Sequence, residues 1–278
     1  MKKIALMLSL ISILIMPGLA FSITCSEYFT SVKEIDVKIY SSAERTVSGF
    51  KYNYLLSSSQ KSVQEVWSFY VEHYSPLVNA TSPRGWSGMG TGITNGSPYS
   101  WASDEYESDE FNIKPGASLN GFGMQSEGLP AIVTYYAHGW RELPTISEEE
   151  MPEEEDCPER NIFINAFKGK TLGPTAPPLD FNPLSFLDYI IGMKHEAFSL
   201  GWITNKGIEM SLDAKLEAAK KKLEQGQNGT AKNILNALIN EIEAQGCETY
   251  ENCPKGNHLL PEAYALLKYN VLYLIERL

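Results

Sequence analysis

The sequence predicts an all-β antiparallel sandwich followed by an all-α antiparallel helical bundle. Three observations predict it. Short runs that alternate or are rich in apolar, β-branched and aromatic residues, separated by turns and without a helical period, continue up to about residue 173. A proline-rich segment follows, and beyond residue 182 the period becomes helical. The expected boundaries are 1–22 for a leader, 23–173 for the sandwich, 174–182 for a linker and 183–278 for the bundle.

The leader reads as a secretory signal peptide. Lys2 and Lys3 precede an apolar run over residues 4–16, then Pro17-Gly18 and small residues. Cleavage after Ala20 or after Ser22 fits equally. The run is shorter than the ~20 residues a membrane-spanning helix needs, so no membrane insertion is expected after cleavage. Localisation is then secreted, extracellular or at the cell surface, with the periplasm as an alternative.

Strands are expected over residues 37–40, 50–55, 66–71, 131–137 and 161–167, which are rich in β-branched and aromatic residues. Turn clusters separate them: Ser57-Ser58-Ser59, Ser82-Pro83-Arg84-Gly85, Asn95-Gly96-Ser97-Pro98 and Lys114-Pro115-Gly116. Short strands between such turns indicate an antiparallel sandwich of Ig-like type. Residues 173–183 then form a stiff connector, because proline lacks a donor and resists helix.

Four helices follow. Asn182 is a good N-cap and Pro183 suits the first helical position. Leu184, Leu187, Ile191 and Phe198 make the first stripe. The second helix starts near Thr204-Asn205, lines up Ile208, Leu212, Leu216, Ala219 and Leu223, and stops at Gly226. The third is expected to be capped near Thr230, to bury Ile234, Leu235, Leu238 and Ile242, and to end at Gly246. The fourth follows Pro261, with Ala263, Leu267, Asn270 or Val271, Leu274 and Leu278. The short links after the first two helices make neighbours antiparallel.

Four cysteines in an exported chain point to disulfides. Cys247 and Cys253 flank a short loop and form the natural local pair, which leaves Cys25 with Cys157. A metal site would want tighter spacing, and His73, His138, His195 and His258 are scattered.

The C-terminal segment then shows a resemblance. Residues 201–208 (GWITNKGI), 211–216 (SLDAKL), 231–245 (AKNILNALINEIEAQ) and 273–278 (YLIERL) are similar to the FIMAH-type helical domain of secreted bacterial proteins. It covers about the last 80 residues. The insert over 247–257 departs from it. The resemblance implies an extracellular accessory module and brings no catalytic residues. More weakly, Pro83-Arg84-Gly85-Trp86, Trp101, residues 113–122 and Leu129-Pro130 resemble β-sandwich domains of uncharacterised secreted bacterial proteins, which implies fold alone.

The chemistry-bearing motifs are incomplete. Gly85-Trp86-Ser87-Gly88 has the wrong spacing for a nucleophile elbow. His195-Glu196 begins a zinc-protease motif, but position 199 is Ser, so the pair reads as solvent-facing or interfacial. Gly88-Met89-Gly90-Thr91-Gly92 lacks a strand-then-helix setting and reads as a hairpin loop. The run Glu148 to Asp156 holds seven carboxylates in nine positions without the spacing of a calcium loop, and reads as a solvated loop. Asp104, Glu105, Glu107, Asp109 and Glu110 form a second acidic stretch that could serve glycoside hydrolysis; surface charge is the plainer reading. Trp67, Trp86, Trp101, Trp140, Tyr135 and Tyr136 are either a sugar-stacking platform or core, and core is the commoner fate. Trp86 and Trp101 are carried forward as ligand-binding candidates.

The formal net charge of −11 argues against a nucleic-acid binder, which needs a basic face. The expectation is therefore a secreted non-catalytic binding or structural protein with a protein or glycan partner at the cell surface. A carbohydrate-binding module is the alternative, and a carboxylate-dependent hydrolase ranks below that. No catalytic residue, metal or cofactor is assigned.

Overall fold

The computed structural model describes residues 34–90, 98–104, 109–140 and 166–278. The expected leader, Cys25, Cys157 and the acidic run Glu148 to Asp156 lie outside the described residues, as does most of the strand expected over 161–167.

Nine strands are described: β1 Val37–Thr46, β2 Gly49–Ser58, β3 Val66–Val71, β4 Leu77–Thr81, β5 Trp86–Met89, β6 Tyr99–Ser103, β7 Ser118–Ser126, β8 Leu129–Gly139 and β9 Phe167–Thr175. They form two antiparallel sheets, ordered β1-β2-β7-β4 and β5-β6-β3-β8-β9. The inner faces meet in an aromatic core. Phe69 stacks on Trp101 with centroids 4.7 Å apart and meets Phe122 of the other sheet edge-on at 4.8 Å. Two tyrosine hydroxyls cross between the sheets to backbone carbonyls, Tyr54 to Leu172 and Tyr135 to Val37, and a third, Tyr52, reaches Gly128 in the link between β7 and β8, all at 2.7–3.0 Å. A buried hydroxyl must find a partner, and the first two donors tie one sheet to the other. The hairpin between β1 and β2 turns at Gly49, whose φ of 113° an L side chain rarely adopts.

Two boundaries differ from expectation. Residues 86–89, read as the start of a loop, form the edge strand β5. Strand β9 runs through Gly173 and Pro174, so the segment expected as linker begins as sheet. Proline is tolerated there because β9 pairs on one side only, with β8.

The helices are α1 Pro183–Ser199, α2 Lys206–Glu224, α3 Asn228–Gln245 and α4 Pro261–Ile275. Asn182 caps α1 by accepting from the Ser185 amide, and Asn205 caps α2 in the same way. Helix α3 starts at Asn228, ahead of the expected Thr230, with no side-chain cap. In α1 the buried set is Phe186, Leu187, Ile190, Met193, Lys194 and Ala197; Leu184, Ile191 and Phe198 are half-buried.

Helix α4 is buried on nearly every side, from Pro261 through Ile275. One side meets α1 and α3, and the other meets β1, β8 and β9. A helix apolar all round belongs inside a core. Its polar side chains also complete the open edge of β1. The Glu262 carboxylate accepts from the Ser41 backbone amide at 2.8 Å, and the Tyr269 hydroxyl accepts from the Arg45 amide at 3.3 Å. An unpaired strand edge is an aggregation hazard, and here a helix covers it. The sandwich and the helices thus share one contiguous apolar core, where the sequence suggested two separate ones.

Candidate functional site

Trp86 and Trp101 are not available to a ligand. They are 3% and 0% exposed. Trp86 packs edge-on against Phe122 at 5.1 Å. Their indole nitrogens donate to the Phe111 and Thr81 carbonyls at 2.9 and 3.0 Å. Both lie on the inward parity of their strands, so the pleat aims them into the core. Tyr135 is buried for the same reason.

The alternate residues of the five-stranded sheet point outward, and they gather aromatic side chains. Phe69, Val71, Tyr135 and Ala137 face inward and are buried, while Tyr70 and Tyr136 are half-buried and stand opposite one another in register. Half-buried Trp67 stacks on the His138 ring at 6.4 Å, and Tyr70 meets that ring edge-on at 5.3 Å. Beyond Tyr136 sits Glu72. Its carboxylate accepts from the Tyr136 hydroxyl at 2.9 Å, from the Tyr74 hydroxyl at 3.1 Å and from the Thr134 amide at 3.1 Å. Burial works to raise its pKa, but these donors outweigh burial and hold the carboxyl below its ordinary value. Tyr136 moves the other way: burial and the adjacent carboxylate push its phenol up to about 12. The Lys168 ammonium lies 5.5 Å from the Tyr136 ring centre. The face therefore combines ring surfaces, an ionised carboxylate and a cation.

Sequence reasoning named Trp67 and Tyr136 but missed Tyr70 and Glu72. The available signal was parity: Tyr70 alternates with Phe69 and Val71 in β3, and Glu72 continues that alternation one residue past its end.

The same face holds a serine–histidine pair. Ser68 Oγ and His138 Nδ1 are 3.1 Å apart. The two residues are 1% and 3% exposed. A nucleophile must meet its substrate, and this hydroxyl does not reach solvent. Elsewhere, Asp104 accepts a short hydrogen bond from the Ser87 hydroxyl, while Glu105 and Glu107 lie outside the described residues.

One described cluster has a metal-like ligand set. His195, Glu209 and Asp213 bring their ligand atoms within 4.8 Å of one another. The position a cation would take is already held by the Lys194 ammonium, 2.6 Å from both Glu209 and Asp213 and 2.9 Å from His195 Nδ1. Hydrogen bonds from Lys194 and Lys206 hold the Glu209 carboxyl down to about 2. The group is an internal ion network on α1 and α2, and its own lysine does what a metal would. Of the expected disulfides, Cys247–Cys253 is formed.

No family model and no curated protein matches the chain. Among solved structures it is similar to an uncharacterized protein from Nocardia farcinica whose crystal structure reveals an immunoglobulin-like fold, at 12% identity over 50% of this chain and 98% of that one. The TM-score is 0.28, so the likeness carries no weight here; the sandwich rests on the strand pairing itself. Among the described residues, no helix is long and apolar enough to cross a membrane.

Proposed function

We propose that the protein is an exported, non-catalytic binding protein that holds carbohydrate across the outer face of its five-stranded sheet. The observation that carries this reading is the half-exposed row of Trp67, Tyr70 and Tyr136 beside the ionised Glu72. Ring faces take the apolar C–H faces of sugars, and a carboxylate accepts their hydroxyls. A flat sheet suits a chain laid along it better than a small molecule, which prefers a concavity. Export is supported by the leader sequence and by the Cys247–Cys253 bridge, since disulfides persist in oxidising compartments. The resemblance of the C-terminal helices to a FIMAH-type module supports an extracellular role for them.

The test is a glycan array and affinity electrophoresis with soluble polysaccharides, using wild-type protein, Trp67→Ala and Tyr70→Ala. Binding is expected for the wild type and should be lost in both variants, with circular dichroism unchanged. No glycan bound, or binding indifferent to both substitutions, rejects the reading.

A further inference from the structure

The register of the five-stranded sheet sets one outward row across all of its strands. Met89 of β5 pairs with Ser100 of β6, Ser100 with Tyr70 of β3, Tyr70 with Tyr136 of β8, and Tyr136 with Lys168 of β9. Residues in register lie on the same face, so these five side chains stand in line. The row spans four strand spacings, about 19 Å. It ends in positive charge. The Lys168 ammonium lies 5.5 Å from the Tyr136 ring centre. Lys170, two residues on, reaches Thr134 Oγ1 at 3.4 Å. Both lysines are exposed, and among the described residues neither is paired with a carboxylate.

The carboxylate on this face is largely occupied. Glu72 accepts from the Tyr136 and Tyr74 hydroxyls and from the Thr134 amide. Those donors fill three of the roughly four acceptor positions of a carboxylate, which leaves one for a ligand hydroxyl. Strands β3, β8 and β9, with Glu72 just past β3, thus set two lysines against one carboxylate. Asp104 follows β6, three strand spacings or about 14 Å from β9. That exceeds the Debye length of ~8 Å at physiological ionic strength, so its charge is screened from a ligand held at β9. The chain as a whole carries −11, yet this end of the aromatic row is locally positive.

We propose that the glycan held on this face is acidic: a polysaccharide of uronate residues, with sugar rings on Tyr70 and Tyr136 and carboxylates on Lys168 and Lys170. The inference rests on the carbohydrate reading above and names its substrate class. A uronate suits the face better than a sulfated sugar. Its acid group sits on carbon and leaves the ring hydroxyls free for Glu72, whereas a sulfate ester consumes one. Lysines on an edge strand also discourage strand addition, but that role gives no preference among soluble glycans.

The test uses the full-length exported chain in affinity electrophoresis and isothermal titration calorimetry with two matched pairs: polygalacturonate and its methyl ester, and alginate and its propylene glycol ester. Esterification removes the charge and keeps the backbone. At least one acid should bind at least about tenfold more tightly than its ester, and about 0.5 M NaCl should erase the difference. Lys168→Gln/Lys170→Gln should bring that acid down to the level of its ester, with ester binding and circular dichroism unchanged. Lys168→Arg/Lys170→Arg should keep the preference. An ester bound as well as its acid in both pairs, a glutamine variant with undiminished preference, or dextran sulfate bound as tightly as the preferred acid each overturns this inference and leaves the carbohydrate reading standing. A wild type that binds no glycan, acidic or neutral, overturns both.

Discussion

Replacing Lys194 with methionine should destabilise the fold well beyond the loss of an ordinary ion pair. The Lys194 side chain is 0% exposed and that of Glu209 is 3%, at 2.6 Å. Surface pairs contribute little, but removing one partner of a buried pair strands the other charge and costs about 3–5 kcal/mol. Lys206 still holds the second Glu209 oxygen at 2.7 Å, which places the effect near the low end, about 3 kcal/mol. For domains of this size that is a fall in Tm of about 6–12 °C. The double variant Lys194→Met/Glu209→Gln removes the stranded charge and should recover at least half of the loss. The pH dependence has a definite sign. Glu209 is held down to about 2 from its ordinary 4.5. Its stabilisation is therefore complete above about 4.5 and disappears as pH falls through the interval to about 2. Lys194→Met should flatten that part of the stability–pH curve. The measurement is calorimetry or thermal circular dichroism from pH 2 to pH 7. A Tm change below about 2 °C, or a double variant no better than the single one, would show that the network contributes nothing.

Other substitutions separate roles in the same way. Trp101→Ala should cost about 3–5 kcal/mol in denaturant unfolding because the indole is fully buried, whereas Trp67→Ala should cost far less; equal costs would place both rings in one environment. Glu262→Ala leaves the Ser41 amide and the Tyr250 hydroxyl without their acceptor and should lose about 2–4 kcal/mol. Burial raises the Glu262 pKa above its ordinary 4.5, so the ionised form is disfavoured in the fold and stability falls as pH rises past 4.5; Glu262→Gln should lie close to wild type below 4.5 and be no less stable above it, and a glutamine variant as poor as alanine would refute this. Reducing Cys247–Cys253, six residues apart, should lower stability by about 2 kcal/mol, read as a Tm shift with and without reductant; an unchanged Tm would mean the loop is ordered without it.

Much of the architecture was legible along the chain. The alternating residues 37–40 and 50–55, the aromatic and β-branched run 66–71 and the run 131–137, read as a buried strand, lie within β1, β2, β3 and β8 in that order. Asn182-Pro183 and Asn205 marked two helix starts, because capping is a local matter settled within one turn. The pair Cys247–Cys253 followed from loop closure over a short span. Strands β4 to β7 were harder, since their glycine-, serine- and asparagine-rich segments owe their pairing to neighbours and not to their own propensity.

What the tertiary structure decided was which polar and aromatic residues matter. Trp101 and Trp67 have the same chemistry in the sequence; Trp101 lies on the inward parity of β6, whereas Trp67, at an odd position like the inward Phe69 and Val71, is set apart from them by the register irregularity between Val66 and Ser68. The low charge of α4 was visible, yet its second buried face could not be assigned without β1, whose edge amides meet Glu262 and Tyr269 over 220 residues away in the chain. Asn270 reads as one position on a helical stripe. The fold brings the Pro130 carbonyl to its amide, which donates there and to Leu266, while its oxygen has no partner among the described residues. The local pattern specifies the elements, because propensity and periodicity act over a few residues. The proposed binding surface arises where distant elements meet, because hydrogen-bond satisfaction and burial are properties of the packed whole.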